Sequence, residues 1–216
     1  IGGQWGDEGK GKIIDLLAES SDFVVRYSGG NNAGHTVINH LGEFWLHVVP
    51  AGIFNENTQC VIGNGVALDP NILISELDQL EKANIDVSRL IISDRAHIVF
   101  PFHRLLDSLE ESRLQDKAIG TTKRGIGPTF VDKTTRRGVR MGDLLHRDNF
   151  REKVTEIVEY VNVLLEKVYG HEGVDIQELF DLGDKWGSRL NHSITQTEKL
   201  INSALNDNKE VLLEGA

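Results

Sequence analysis

The chain has 216 residues, of which 39% are hydrophobic and 26% are charged, proportions typical of a globular protein with a sizeable core. Its 33 acidic residues outnumber its 23 basic ones, and the net charge of −10 argues against non-specific binding to nucleic acid or to an anionic membrane. The single cysteine, Cys60, excludes an intrachain disulfide, and no apolar run reaches the length of a membrane helix. The expected location is therefore the cytoplasm.

The first glycine-rich stretch, residues 2–12, predicts a phosphate-binding loop that opens a helix. Its glycines allow several backbone N–H groups to converge on one oxyanion, and the start of the helix adds partial positive charge. Lys10 and Lys12 supply ammonium groups that can follow a phosphoryl group. The stretch fits the pattern G-x-x-x-x-G-K-[ST] except that Ile13 stands where a magnesium-binding hydroxyl belongs. Asp7 is then the nearest oxygen donor for a metal in this stretch. The alternative to a phosphate-binding loop is a plain glycine-rich turn between a strand and a helix.

A second glycine-rich loop, residues 28–36, follows an apolar stretch at 22–27 that predicts a buried strand. Open α/β sheets bind ligands beyond the carboxyl ends of their strands, so the two glycine-rich loops should face one cleft. Within this loop His35 is the only side chain that changes protonation near neutral pH, and Gly34 leaves its carbonyl open to an ion or ligand. A structural histidine is the alternative, but the polar loop favours a functional one. The other seven histidines, His47 among them, are assigned no function.

Between residues 37 and 113 the sequence predicts alternating strands and helices. Asp69 and Pro70 mark the start of one helix, as its N-cap and its first residue, and Asn84 can end it. The other predicted elements are a hairpin over 37–49, strands at 59–63 and 90–93, and a helix from about 102 to 113. This order predicts an α/β fold with a mostly parallel central sheet and flanking helices, similar to P-loop NTPases.

The basic stretch, residues 117–140, reverses the charge of the chain. It contains seven basic residues and one acid, Asp132, and its glycines and Pro128 predict a loop rather than a helix. Arginine and threonine side chains are good donors to phosphate oxygens, so the stretch predicts a shaped anion site for a second phosphate. A solvated basic loop is one alternative. Nucleic acid is a weaker one, because no series of aromatic residues accompanies the charge.

Two amphipathic segments predict helices in the last third of the chain. The first runs from 148 to 170, and the second, with Leu190 and Ile194 on its apolar side, runs to about Leu205. The predicted division is a nucleotide-binding α/β core with its basic loop (1–145), an inserted helical subdomain (146–208) and the start of a further core strand (209–216). Because that strand lacks a successor, the sequence is expected to be an excerpt from a longer protein.

Six motifs together resemble those of the adenylosuccinate synthetase family. They are residues 3–12, 29–36, 62–66, 118–128, 136–138 and 214–216, so the resemblance runs along the whole chain. It implies a magnesium-dependent ligase that uses GTP, IMP and L-aspartate. GTP would phosphorylate the 6-oxygen of IMP, and the amine of aspartate would then displace the phosphate to give adenylosuccinate in purine biosynthesis. The resemblance also implies a homodimer.

The same resemblance implies roles for individual residues. Asp7 would be the base that removes the N1 proton of IMP, and His35 the acid that aids phosphoryl transfer, where Lys10 neutralises charge. Asp7 would also bind magnesium together with the carbonyl of Gly34. The implied GTP contacts are Gly6, Asp7, Glu8, Gly9, Lys10, Gly11, Lys12, Gly34, His35 and Thr36. The implied IMP contacts are Asp7, Lys10, Asn32, Ala33, Gly34, His35, Thr122 and Arg136, of which Arg136 would reach the substrate of the neighbouring subunit.

Two other functions stay open at this point. One is another phosphate-loop kinase or ligase that activates a carboxylate or carbonyl oxygen with GTP or ATP, and the other is a non-catalytic nucleotide-sensing module. The family's guanine-recognising and aspartate-binding segments would lie beyond residue 216. Residues 1–216 alone are therefore expected to be inactive.

Overall fold

The computed structural model describes residues 9–32, 34–39 and 41–215, with backbone alone at Lys10 and His35. The strands are β1 (Phe23–Arg26), β2 (Gly29–Gly30), β3 (His35–Asn39), β4 (Gly42–Leu46), β5 (Gln59–Ile62), β6 (Val66–Leu68), β7 (Leu90–Ser93), β8 (His97–Ile98), β9 (Ile194–Thr195) and β10 (Val211–Glu214). The α-helices are α1 (Lys10–Ala18), α2 (Pro70–Lys82), α3 (Pro101–Leu114), α4 (Ile126–Thr134), α5 (Arg147–Lys167), α6 (Ile176–Leu190) and α7 (Thr197–Asn206). Within these ranges no helix combines the length and the apolar character that crossing a bilayer requires.

Parallel pairing dominates the described strands. The main sheet has the order β10-β1-β5-β7-β9, and β2-β6-β8 form a smaller parallel sheet. Among the described strands only β3 and β4 pair antiparallel with one another, as the predicted hairpin, and a single antiparallel bridge joins His97 to Arg140. Because parallel neighbours need crossover connections, helices such as α2 link the strands and cover the sheet. The predicted mostly parallel sheet with flanking helices is confirmed.

Side-chain alternation along β1 divides the core between the two faces of the main sheet. Val24 belongs to a large hydrophobic cluster that includes buried residues of α2, α5 and α6. Phe23 and Val25 belong to a smaller cluster with Ala204 of α7. Helices thus cover both faces, which explains why β1 and β5 are hydrophobic in nearly every position.

The basic stretch is not one continuous loop, and that prediction was wrong, because it contains α4. Gly125 precedes α4 with a φ of 76°, and a Cβ there would lie 2.8 Å from the backbone of Arg104. Pro128 falls in the first turn of the helix, where backbone N–H groups have no helical acceptor and proline is tolerated. Here glycine and proline start a helix instead of preventing one.

The second amphipathic segment was also predicted wrongly, because it consists of α6 and α7 with β9 between them. Ile194, expected on the apolar side of a helix, pairs with Ile92 in the main sheet. The start of α6 was not predicted; its N-cap is Asp175, whose carboxylate accepts a hydrogen bond from the Gln177 N–H at 2.8 Å. The first amphipathic segment is confirmed as α5. The division at 146–208 stays a prediction, although β9 within that range extends the main sheet.

The second glycine-rich segment is only partly a loop, contrary to the prediction. Residues 29–30 form β2 and pair in parallel with β6, while residues 35–36 belong to β3. A Cβ on Gly30 would lie 2.4 Å from the carbonyl oxygen of Ala67, so this pairing requires glycine. Glycine here permits close backbone approach within a sheet, which the sequence pattern does not distinguish from a turn.

Candidate nucleotide site

Part of the predicted site lies outside the described residues. Gly6, Asp7, Glu8 and Ala33 do so, and their assigned roles stay predictions. Lys10 and His35 are placed by their backbones, at the first positions of α1 and β3. The geometry of the site is therefore built from the segments that carry these residues and from their neighbours.

The helix that follows the first glycine-rich stretch packs against β3. Gly9 is its N-cap, with a left-handed φ of 66°. Gly11 is buried, whereas the Lys12 side chain is exposed. Because α1 begins at Lys10 and β3 at His35, the contact joins the elements in which the two glycine-rich stretches end. Thr36, the second residue of β3, is exposed.

The second glycine-rich stretch also meets the basic stretch. A Cβ on Gly30 would lie 2.5 Å from Cδ1 of Ile126, so the start of α4 packs directly on β2. Asn32 lies two residues beyond Gly30, and Thr122 lies four residues before Ile126; both are exposed. Two residues predicted to bind IMP are thus carried by segments that touch one another.

Gly34 lies against His47, in the turn that follows β4. A Cβ on Gly34 would be 3.1 Å from Nε2 and 3.2 Å from Cδ2 of His47. The Nδ1 of the same ring is 3.3 Å from Oε1 of Glu76, a buried carboxylate in α2. Gly34 is exposed, and its assignment as a metal ligand through its backbone carbonyl stays a prediction. Within the described ranges no group of three or more His, Cys, Asp or Glu side chains could hold a metal ion.

Two buried polar side chains lie at the end of β1 and beyond β2. The Arg26 guanidinium donates from Nη2 to the carbonyl oxygen of Gly30 at 2.9 Å, and burial lowers the pKa of Arg26 while Glu214 and Glu76 oppose the shift. Asn31 is 2% exposed, and neither atom of its side-chain amide has a hydrogen-bond partner among the described residues. Each unsatisfied buried group costs about 1–3 kcal/mol, and such groups are often found where a ligand supplies the missing partner.

The loop before α4 is held by carboxylates of α3. Asp107 accepts hydrogen bonds from the Thr121 hydroxyl at 2.8 Å and from the Gly125 N–H at 2.9 Å. Glu111 accepts from the N–H groups of Ile119 and Gly120, at 3.1 and 2.9 Å. Both carboxylates are buried, so the loop is fixed from its inner side while Thr122 faces solvent.

A cleft of about 410 Å³ between α4 and α5 is lined by basic side chains, most of them from the basic stretch. Arg137 is paired with Asp132 at 3.4 Å, and Lys153 with Asp143 at 2.7 Å. Burial, together with the nearby charges of Lys133 and Arg140, lowers the pKa of His97 to about 4. Arg136 is exposed, has a left-handed φ of 65°, and makes no ion pair with any described residue. The residues that line the cleft include His97, Lys133, Arg136, Arg137, Arg140 and Lys153.

Sequence reasoning missed the residues that position these segments. Glu76 lies between Leu73 and Leu77 on the buried side of α2, and a carboxylate within an apolar stripe is a signal that was available. In α3 the buried polar residues 103, 107 and 111 recur at a spacing of four, which places them on one helix face. Neither pattern reveals which loop the carboxylate holds.

Comparison with known proteins decides the family. The family model for adenylosuccinate synthetase matches residues 1–216, the whole of the chain. The chain belongs to the adenylosuccinate synthetase family. It is 49% identical to the adenylosuccinate synthetase of Dehalococcoides mccartyi and 51% identical to that of Heliobacterium modesticaldum, in each case over all of this chain and 51% of the relative.

A solved structure supports the same assignment. The fully ligated adenylosuccinate synthetase from Plasmodium falciparum is 36% identical and matches with a TM-score of 0.89, over 100% of this chain and 50% of that one. The adenylosuccinate synthetase resemblance of the six motifs is thereby confirmed, together with the predicted fold class. The chain spans about half the length of the curated relatives it matches.

Proposed function

We propose that the full-length protein ligates IMP and L-aspartate to adenylosuccinate with GTP, through a 6-phosphoryl-IMP intermediate. The observation that carries the proposal is the family match along all 216 residues. The contacts of α1 with β3 and of β2 with α4 support it, because they bring together the segments on which the family's nucleotide contacts would lie. A cytoplasmic location is proposed with the activity.

Proton removal from IMP is assigned to Asp7. A lactam oxygen is a poor nucleophile until its N1 proton leaves, so a carboxylate beside the phosphate loop is needed as a general base. Once the proton has moved to the carboxylate, the 6-oxygen can attack the γ-phosphorus of GTP. The bond to the β,γ-bridging oxygen breaks, and GDP leaves.

Phosphoryl transfer depends mainly on the neutralisation of charge. We assign this to Lys10, to the backbone N–H groups of residues 6–12 and 34–36, and to the start of α1. His35 would donate a hydrogen bond or proton to the phosphoryl oxygens. Asp7 and the Gly34 carbonyl would hold Mg²⁺, which when bound supplies further neutralisation of the phosphates.

IMP is assigned to Asn32, Ala33 and Thr122, and to Arg136 from the second subunit of a homodimer. The other IMP contacts, Asp7, Lys10, Gly34 and His35, are shared with GTP. The exposed position of Arg136 and its lack of an ion pair within the described ranges support this, because the guanidinium can then bind a phosphate of another molecule. Arg137, next to it, lines both the cationic cleft and an apolar groove with Val131 and Tyr160, a surface suited to a second copy.

Two substitutions in the full-length protein test the assignment. Asp7→Asn and His35→Asn should each lower turnover with IMP, GTP and aspartate by at least about 10²-fold, as expected for loss of a general base or acid. His192→Asn, which changes an exposed histidine outside the site, is the control. Near-normal turnover in either test variant would refute the role of that residue. A full-length protein that forms no adenylosuccinate, but phosphorylates another acceptor with GTP or ATP, would refute the proposed function.

The shared site is tested by mixing variants. Asp7→Asn and Arg136→Leu homodimers should each be inactive, whereas mixed dimers contain one site with both native residues. After subunit exchange, activity should return to about a quarter of the wild-type value. A mixture that stays inactive although exchange is demonstrated would contradict the contribution of Arg136 from the partner.

A further inference from the structure

The turn that follows β4 is tethered to helix α2 by one carboxylate. Glu76 Oε1 accepts a hydrogen bond from the His47 N–H at 2.7 Å. Its Oε2 accepts from the N–H groups of Val48 and Val49, at 3.2 and 3.0 Å. Three consecutive backbone donors therefore converge on one side chain, and the conformation of residues 47–49 depends on it.

The Glu76 carboxylate is buried, and both of its oxygens accept hydrogen bonds. The Glu76 side chain is 5% exposed, and burial raises its pKa while the three N–H donors and His47 oppose the shift. A buried carboxylate that loses its donors pays a large desolvation cost, so the carboxylate and the turn hold one another in place. The helix around it is anchored at its start, where Asp69 accepts from the Asn71 N–H at 3.0 Å.

The same carboxylate orients the imidazole of His47. Nδ1 lies 3.3 Å from Glu76 Oε1, which fixes the plane of the ring and directs Nε2 away from Glu76. The Nε2–Cδ2 edge then lies against Gly34, close enough that an added methyl group on Gly34 would sit at 3.1 Å. The His47 side chain is 31% exposed, so the ring is not part of the hydrophobic core.

We propose that His47, held by Glu76, is a positioning residue for the backbone of residues 34–36. The ring lies beside Gly34, and it limits the positions that the Gly34 carbonyl and the following N–H groups can take. Such restraint matters because backbone groups bind phosphate well only when they are already in place. The inference rests on the proposed function, in which residues 34–36 bind the phosphates of GTP.

Variants of the full-length protein test the proposal. His47→Ala should raise the Kd for GDP in the presence of Mg²⁺, measured by isothermal titration, by about tenfold, and should lower kcat by about tenfold or more. The KM for IMP should rise by less than the Kd for GDP, because most of the implied IMP contacts, Asn32, Thr122 and Arg136 among them, lie outside residues 34–36. Glu76→Gln should cause the same changes, because its amide donor would face backbone donors.

Matched controls separate this role from general destabilisation. Glu81→Gln changes an exposed carboxylate of the same helix that is paired with Arg189 at 2.8 Å, and His192→Ala removes an exposed imidazole. Both should leave the Kd for GDP and kcat within about twofold of the wild type. The decision rests on His47→Ala, whose partly exposed side chain can be removed with a thermal midpoint close to that of the wild type.

Two results would overturn the proposal. One is a His47→Ala protein whose Kd for GDP and kcat stay within about twofold of the wild type. The other is a parallel loss of GDP affinity, IMP affinity and thermal midpoint, which would indicate a general structural role. Failure of the proposed function is distinguishable, since the wild-type protein would then form no adenylosuccinate while GDP titration would still report on His47.

Discussion

The turn at 47–49 and the loop at 119–125 are fixed in the same way. In each, carboxylates on a helix accept hydrogen bonds from backbone N–H groups of the chain beside them. Glu76 of α2 holds the turn through three consecutive donors. Asp107 and Glu111 of α3 hold the loop through three N–H groups and one hydroxyl. Both segments lie next to predicted nucleotide contacts, so both parts of the proposed site are positioned from helices.

The two regions differ in how the carboxylate reaches the predicted contact. At the turn the Glu76 carboxylate orients the imidazole of His47, which lies against Gly34. At the loop the Asp107 carboxylate binds Thr121 directly, and the next residue, Thr122, is left exposed. The imidazole beside Gly34 restrains backbone groups, which suits phosphate binding. The carboxylate that binds Thr121 leaves the hydroxyl of Thr122 free to contact a ligand. The comparison therefore predicts that disruption of the turn mainly weakens GTP binding and that disruption of the loop mainly weakens IMP binding.

The largest expected effect comes from the loop. In the full-length protein, Asp107→Asn combined with Glu111→Gln should raise the KM for IMP by about ten- to a hundredfold, because each buried donor that loses its acceptor costs about 1–3 kcal/mol. The KM for GTP should change by less than about threefold. Steady-state kinetics with each substrate varied in turn provides the measurement.

Glu110→Gln is the matched control for this variant. Glu110 lies on the same helix, but it is only partly buried and pairs with Arg113 at 2.7 Å instead of holding the loop. It should leave both KM values nearly unchanged. If the double variant raised the KM for GTP as much as that for IMP, the separation of the two regions would be wrong.

Lowering the pH should destabilise the part of the basic stretch that packs around His97, including α4, before it destabilises the turn at 47–49. His97 is 4% exposed and its pKa is lowered to about 4, mainly by burial and further by Lys133 and Arg140. The unfolded chain binds this proton near pH 6.5 and the folded chain only near pH 4, so the free energy of unfolding falls as pH drops through that window, by about 1–3 kcal/mol in all. Burial raises the pKa of Glu76, which gives the turn a contribution of opposite sign.

Hydrogen exchange at pH 7 and pH 5 checks this order. Amides of α4 should lose protection on acidification before those of residues 47–49 do. His97→Asn should flatten the pH dependence of the unfolding free energy, and His192→Asn, at an exposed position, should not. Equal loss of protection in α4 and in residues 47–49 would show that α4 is no more sensitive to acid than the turn.

Much of the fold followed from local sequence patterns. Asp69 and Pro70 fixed the start of α2, and short β-branched runs fixed β1, β5 and β7 within a residue or two. The errors arose where an element depends on a distant partner. Ile194 is in a strand only because β7 lies beside it, and Gly30 is in a strand because Ala67 approaches too closely for any side chain.

The candidate site shows the same limit. Glycine spacing and polar composition identified the segments that would touch nucleotides, since these features act locally. Glu76 and His47 are separated from Gly34 by 42 and 13 residues in sequence, and their link is visible only once the chain is folded. A buried acid within an apolar stripe could have marked Glu76 as unusual, but not its partner.

The smallest predicted effect tests why the basic stretch was expected to be a loop. Gly127 is the second residue of α4 and is exposed, and apart from its chain neighbours and its own helix a Cβ there would meet no atom within 4 Å. Alanine restricts the unfolded chain and favours helix, whereas the following Pro128 disfavours helical backbone at a residue that has a Cβ, so Gly127→Ala should change the free energy of unfolding by less than about 1 kcal/mol in urea denaturation. Gly125→Ala, at a φ of 76° and with backbone at 2.8 Å, should destabilise the protein by more than that. Equal effects of the two substitutions would contradict a helix that begins between these positions. A larger loss at Gly125 than at Gly127 thus separates a helix that starts after Gly125 from a flexible loop that spans both positions.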